Sequence, residues 1–222
     1  CADEGARELS LRRTGRMMKT GDGDDCDVRY SSLVLSPFGT TFDVTAGGKT
    51  VSIRTPLLGR HVPALICACI AIAADMGVSL EECAKACEKL APVEHRLEVI
   101  RVGGRTIIDD SYNSNPCGAK NALEVLSAFD GEKIVVTPGM VELGGLENDA
   151  NAELGRNIAG VCDMAILVGS RAKTIKAGAM EAGMPEERIK TAMSLDAAKK
   201  ILATLPDGCA ILFENDLPDN YA

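Results

Sequence analysis

The stretch IIDDSYNSNP, residues 107–116, decides the fold of this chain. Its two isoleucines close an apolar run typical of a buried strand, and aspartates, serines, asparagines and a tyrosine follow before Pro116. Ser114 or Asn115 can cap a helix that begins with Pro116. Capping uses one such residue, so the surplus of polar side chains favours a ligand site. In open α/β sheets, ligands collect at the carboxyl ends of strands.

The chain on either side of this stretch alternates between two patterns. Apolar runs at 97–102, 105–110, 133–139, 164–169 and 209–215 predict strands, and amphipathic patterns at 116–129, 149–161, 172–182 and 195–205 predict helices. Continuous apolar strands between helices indicate a mostly parallel sheet covered on both faces, which is an α/β, Rossmann-like domain. Gly103-Gly104 predicts a hairpin between the first two strands.

Residues before about position 91 follow another pattern. A short helix is expected at 2–11, an acidic turn at 21–27, and alternating strands at 31–36, 40–46 and 49–55, the last two joined at Gly47-Gly48. Two helices follow over 61–90, and Ser79 with Glu82 forms the signature of a capping box at the second. We therefore predict two domains, residues 1–90 and 91–222.

Composition excludes several classes of function. The 222 residues carry a net charge of −8 with a pI near 4.9, which argues against a nucleic-acid surface. No apolar run approaches the roughly 20 residues that a membrane span needs. Nine cysteines without a CxxC pair, and only two histidines, favour reduced thiols in a cytoplasmic protein and no metal site. The chain has neither GxxxxGK[ST] nor GxSxG, so no self-contained catalytic centre is predicted.

Two further strand ends carry candidate ligand-binding side chains. Residues 137–145, TPGMVELGG, supply glycines and Glu142, and residues 212–221 supply Glu214, Asn215 and Asp216. In a parallel sheet both ends open on the same crevice as residues 109–115. Arg96 stands just before the first strand, where a site residue and a surface ion pair are equally compatible with the pattern.

Four motifs in order resemble the second half of a Mur ligase: LLGRH at 57–61, PVEHRLE at 92–98, IIDDSYNSNP at 107–116 and TPGMVELG at 137–144. The resemblance is to the type that adds D-alanyl-D-alanine to UDP-N-acetylmuramoyl-tripeptide. It implies an enzyme that uses ATP and Mg²⁺ to phosphorylate a carboxylate, which an amine then attacks. Residues 1–90 would be the tail of the central ATP-binding α/β domain, and 91–222 the C-terminal Rossmann-like domain.

The resemblance assigns roles by position. Arg96 would contact the γ-phosphate, Asp110 would hold the ribose, and Asn113, Asn115 and His61 would complete the cofactor site. The residues expected to bind substrate are Tyr112, Ser114, Glu142, Glu214, Asn215 and Asp216. The partners implied are the small molecules UDP-MurNAc-peptide and D-Ala-D-Ala, with no nucleic acid, no membrane insertion, no metal ligand in this chain, and a monomeric state.

Departures from the family pattern leave two readings open. The family's phosphate loop and magnesium ligands belong upstream of Cys1, so a ligase fragment would be inactive alone. Val62 and Leu65 stand where family members usually carry asparagines that contact adenine, and FENDLPD at 213–219 replaces a KGSR-like stretch. The alternative is a Mur-like paralogue that has lost catalysis and acts as a binding or regulatory protein. A generic Rossmann module is disfavoured by the ordered set of motifs.

Overall fold

The computed structural model describes residues 17–214 and, before them, Glu8, Leu11, Arg12, Thr14 and Gly15. Most of the helix expected at 2–11 lies outside the described residues, as do Asn215 and Asp216. Contacts divide the chain into two compact units, Cys1–Ala91 and Pro92–Ala222. Within the described part, no helix is long and apolar enough to cross a bilayer.

The first unit contains a four-stranded sheet in the order β1-β2-β3-β4. The strands are β1 (Thr20–Gly21), β2 (Val28–Ser36), β3 (Gly39–Ala46) and β4 (Lys49–Thr55). β1 pairs with β2 in parallel, and the other pairs are antiparallel. The hairpin predicted at Gly47-Gly48 is confirmed, because both glycines have positive φ and β3 pairs with β4 across them.

Two helices cover this sheet, α1 (Val62–Asp75) and α2 (Leu80–Cys87). The capping box predicted at the start of α2 is confirmed: the Ser79 side chain accepts from the Glu82 amide, and the Glu82 carboxylate accepts from the Ser79 amide. The buried core of the unit joins sheet and helices, and it includes Phe42, Ile53, Val62, Ile66, Cys67, Ile70, Cys83 and Cys87.

The second unit is built on a six-stranded sheet in the order β5-β6-β10-β7-β8-β9. The strands are β5 (Glu98–Val102), β6 (Arg105–Asp110), β7 (Lys133–Thr137), β8 (Met164–Val168), β9 (Ile189–Ala192) and β10 (Ala210–Glu214). β5 and β6 form the predicted antiparallel hairpin, and every other pair is parallel. The predicted α/β class with a mostly parallel sheet is therefore confirmed.

The helices of this unit are α3 (Pro116–Ser127), α4 (Glu147–Ala159), α5 (Ala172–Glu181) and α6 (Leu195–Leu202). They begin within two residues, and end within three, of the positions predicted from the pattern. The sequence reading missed β9, which has only four residues and exposes Lys190 and Thr191 at the edge of the sheet. Its sequence, IKTA, lacks the apolar run from which the other strands were predicted.

Two glycines let α4 and α5 pack closely. A Cβ at Gly155 would lie against the Ile175 carbonyl oxygen, and a Cβ at Gly178 would lie against the Ala152 carbonyl oxygen, both well inside van der Waals distance. Since the obstacle is backbone in each case, no side-chain rotation relieves the overlap. The approach of the two helices thus requires glycine at both positions.

We expect Gly155→Ala to lower the free energy of unfolding by about 2 kcal/mol, although alanine has the higher helix propensity, because the added methyl group forces the two helices apart. Chemical denaturation measures this. Gly118→Ala is the matched control, since a Cβ there meets only ordinary contacts with Asn115. Equal stability of Gly155→Ala and Gly118→Ala would contradict the packing described.

Candidate functional site

The sheet order brings three strand ends together. β10 lies between β6 and β7 and runs parallel to both, so residues 109–115, 137–145 and the end of β10 share one edge of the sheet. In the pairing register, Glu214 stands opposite Asp110. Two acidic side chains from segments about a hundred residues apart therefore end adjacent central strands.

The polar side chains of the loop after β6 make different hydrogen bonds. Asn115 caps α3 by accepting from the Gly118 amide at 2.9 Å. Ser114 is buried and donates its hydroxyl to Oε1 of Glu214, which ties the loop to β10. The Ser111 hydroxyl donates to Asp109 Oδ1 at 2.6 Å. Asn113 lies exposed in the same loop.

The segment before β5 is tied to the end of β6 at two points. His95 Nδ1 and Asp109 Oδ2 are 2.8 Å apart, and the Leu97 amide donates to Asp110 Oδ1 at 3.2 Å. His95 and Leu97 both have left-handed backbone, with φ of 61° and 50°. Such conformations cost non-glycine residues about 1–2 kcal/mol each, so the two aspartates hold a bend that the sequence alone disfavours.

Arg96 lies between these two tied residues and is exposed. Its guanidinium carbon lies 4.2 Å from the centre of the Tyr112 ring, a cation–π contact. Tyr112 is itself 66% exposed, so the pair presents a positive charge on an aromatic support at the surface of the strand ends. The structure thus brings Arg96, Asp110, Tyr112 and Ser114 into one cluster with Glu214.

Both carboxyl groups at the paired strand ends bind a proton more tightly than ordinary carboxyl groups do. Burial raises the pKa of Asp110 to about 6, against the opposing effects of the Leu97 amide and the Arg96 charge. Burial raises the pKa of Glu214 to about 8, and repulsion by Asp110 acts in the same direction. The hydrogen bond with Asp109 also raises the pKa of His95, and here the favoured protonated form is the charged ring.

The loop after β7 is held by a residue that the sequence reading missed. Asn151, buried in α4, accepts from the Met140 amide at 2.8 Å and donates to the carbonyl oxygens of Met140 and Glu147. Its polar side chain on the buried face of an amphipathic helix was the available signal. Gly139 has φ +85°, and a Cβ there would overlap the Asn151 side chain. Glu142 follows with φ +63° and is exposed.

A cleft of about 320 Å³ opens at the same strand ends, on the sheet face that α6 covers, and is lined by Asp109 rather than by Asp110 or Glu214. Its floor is apolar, with side chains that include Ile107, Val136 and Phe213. Asp109, Ser111 and Lys199 supply its polar rim. The cleft has the mixed character of a small-molecule site at strand ends.

The remaining candidates lie elsewhere. His61 belongs to the first unit, where it is the exposed residue before α1 and makes no side-chain capping bond. Val62 is buried in the core of that unit, and Leu65 is 61% exposed. In the described part of the chain, no group of three or more His, Cys, Asp or Glu side chains is arranged to hold a metal ion.

Comparison with known proteins identifies a family. Residues 95–214 match the family model described as "Mur ligase, glutamate ligase domain". The UDP-N-acetylmuramoyl-tripeptide–D-alanyl-D-alanine ligase of Bacillus subtilis is 33% identical over 142 residues, which are 63% of this chain and 31% of that protein. The UDP-N-acetylmuramate–L-alanine ligase of Streptomyces coelicolor is 28% identical over 158 residues, 70% of this chain and 34% of that protein.

Solved structures agree with the fold. MurF from Acinetobacter baumannii superposes with a TM-score of 0.81 and 26% identity, over 96% of this chain and 46% of that chain. MurF from Thermotoga maritima, solved in complex with ADP, gives a TM-score of 0.76 at 20% identity over 96% of this chain and 48% of that chain. The chain therefore spans about a third of the curated relatives and just under half of the solved ones.

We expect Glu214→Gln to change how stability depends on pH. The pKa of Glu214 rises from its ordinary 4.5 to about 8 on folding, so its contribution to stability is greatest below pH 4.5 and is lost as pH rises through about 8. Asp110 acts in the same direction at lower pH. Denaturation at pH 5 and pH 8 should show the wild-type chain losing about 2–4 kcal/mol more than Glu214→Gln.

The exposed Glu187→Gln is the control for removing one carboxylate without changing a buried group, and its pH dependence should match that of the wild-type chain. Parallel pH curves for Glu214→Gln and the wild-type chain would show that Glu214 does not change its proton affinity on folding.

Proposed function

The chain belongs to the Mur ligase family, and from that premise we propose that it is the C-terminal part of an ATP-dependent ligase adding D-alanyl-D-alanine to UDP-N-acetylmuramoyl-tripeptide. The Bacillus subtilis relative bears the name of that activity, and the Acinetobacter baumannii structure is a MurF. Residues 1–90 would be the tail of the central ATP-binding domain and 91–222 the C-terminal domain. ATP and the two substrates would meet this part of the enzyme at its strand ends.

The observation that carries the proposal is the fixed position of Arg96. A guanidinium supported on Tyr112, with both neighbouring residues tied to Asp109 and Asp110, is preorganised for an anion. Charge that develops on a transferring phosphoryl group is stabilised best by a cation already in place, since no reorganisation is then needed. We assign Arg96 to the γ-phosphate on this ground.

The other candidates have roles that suit their positions. Asp110 is half-buried at the end of a parallel strand, where a carboxylate accepts hydrogen bonds from ribose hydroxyls. Asn113 and Asn115 shape the loop beside it. Substrate contacts are assigned to Tyr112, Ser114, Glu142 and Glu214, with Asn215 and Asp216 beyond the described residues.

The residues present offer two groups that suit a nucleotide. Arg96 is a cation for the γ-phosphate, and Asp110 is an acceptor for the ribose, which the α- and β-phosphates separate from the γ-phosphate. When bound, ATP supplies the phosphoryl group that activates the acceptor carboxylate. The described residues do not fit Mg²⁺, because they contain no cluster of ligands for it. The family resemblance implies that those ligands come from another part of the enzyme.

One observation favours the alternative, a Mur-like binding protein without catalysis. Val62 is buried in the core of the first unit, so it cannot contact a base, and Leu65 presents an apolar side chain where an amide is usual in the family. Loss of adenine recognition would leave a protein that retains the strand-end cluster and binds its ligands without turning them over.

A chimera tests the proposal. We would replace the second half of the Acinetobacter baumannii MurF by this chain and measure phosphate release with UDP-MurNAc-tripeptide and D-Ala-D-Ala. Turnover is expected, and Arg96→Ala in the chimera should reduce kcat by about 10²–10³-fold, because the developing phosphoryl charge loses its fixed cation. Arg54→Ala, at an exposed position in β4, is the matched control and should leave kcat unchanged.

Equal turnover of the Arg96→Ala and parent chimeras would remove Arg96 from the site. A folded chimera that binds D-Ala-D-Ala but releases no phosphate would favour the non-catalytic alternative.

A further inference from the structure

Glu214 is a buried acid with one unused oxygen. The residue is 1% exposed, and its Oε1 accepts the hydrogen bond from Ser114. Oε2 is buried and has no hydrogen-bond partner among the described residues. Buried side-chain oxygens in native proteins are nearly always paired, so an unpaired one needs an explanation.

The negative charge of Asp110 makes it more costly to bury Glu214 in its ionised form. Asp110 stands opposite it in the pairing of β6 with β10 and repels its ionised form. Arg96 acts on Asp110, the outer member of the pair, and Asp109 is engaged with His95. A buried carboxylate is normally retained with a counter-ion. Glu214 has instead a hydrogen bond from Ser114 and the like charge of Asp110 beside it.

We propose that Glu214, with Asp110 beside it, forms a binding site for a primary ammonium group of a small organic ligand. The ammonium donates to Oε2 of Glu214, which has no other partner among the described residues, and stabilises the ionised carboxylate in place of the proton. Asp110 contributes only its negative charge, from the neighbouring strand end, so its second oxygen stays available for the ribose assigned to it above. Its own Oδ1 remains with the Leu97 amide.

The geometry selects an ammonium over other cations. A guanidinium binds a carboxylate best through two parallel hydrogen bonds, and Oε1 is already occupied by Ser114. A divalent metal ion requires several oxygen ligands, and the described residues contain no suitable group of three. An ammonium is a compact donor that one free oxygen and a nearby charge can hold.

Binding of an ammonium here stands apart from catalysis. The identification of that group with the incoming amine of a ligase reaction rests on the proposed function. On that reading, Glu214 orients the amine substrate in its protonated form, and the ammonium releases a proton before the amine attacks the activated carboxylate. The site therefore contributes to selection of the amine substrate through its cationic end.

The test uses the 222-residue chain labelled with ¹³C at the glutamate side-chain carboxyls, whose NMR shifts report each protonation state. D-Alaninamide is the probe, because it carries a primary ammonium and no carboxylate. A cation that prefers the ionised Glu214 must weaken proton binding there by the same factor. We expect saturating D-alaninamide to reduce the proton affinity of Glu214 about tenfold or more, a fall of about one on the pH scale.

N-Acetyl-D-alaninamide, which lacks the ammonium, should leave the titration of Glu214 unchanged. Glu214→Gln should weaken D-alaninamide binding about tenfold or more, followed through the amide shifts of residues 110–114. The exposed Glu187→Gln is the matched control and should bind as the wild-type chain does.

Three results would overturn the site: an unchanged titration of Glu214, an equal effect of the acetylated amide, or an increased proton affinity, which would indicate a hydrogen-bond acceptor as ligand. The chimera distinguishes failure of the ammonium site from failure of the ligase proposal. Turnover in the chimera without any effect of D-alaninamide on Glu214 would refute the ammonium site alone.

Discussion

The hydrogen bond from the Leu97 amide to Asp110 fixes the geometry on which the strand-end cluster depends. It closes a bend in which His95 and Leu97 both adopt left-handed backbone, and it leaves Arg96 between them facing Tyr112. Asp110 can hold this bend because β6 is paired along its length with β10. A rigid sheet thus positions a surface cation whose own segment has no regular structure.

The same pairing creates the second feature of the cluster. β10 follows β9 in the chain but lies between β6 and β7 in the sheet. Glu214 therefore lies next to Asp110, whose carboxylate already accepts the Leu97 amide. Glu214 is tied to the loop after β6 through Ser114, and Asp110 is tied to the Arg96 segment through the Leu97 amide. The cluster therefore joins three chain segments through two carboxyl groups, and it favours ligands that bring positive charge.

Much of this could be predicted from the sequence, and the limits have physical causes. Apolar runs and glycine pairs located every strand of the second unit except β9, which is short and exposed at an edge. Local pattern could not decide whether Ser114 or Asn115 caps α3, because the answer depends on Glu214 in a distant strand. The support of Arg96 by Tyr112 likewise depends on tertiary structure, as does the role of Asn151.

Amide hydrogen exchange at Leu97 measures the central interaction directly. If Asp110 fixes the bend, this amide, which lies outside any strand, exchanges about 100-fold or more slowly than in the unfolded chain. Asp110→Ala should remove that protection while Ile108, in the middle of β6, keeps its own. Exchange of the Leu97 amide at the unfolded rate in the wild-type chain would contradict the account, since Arg96 would then have no fixed position.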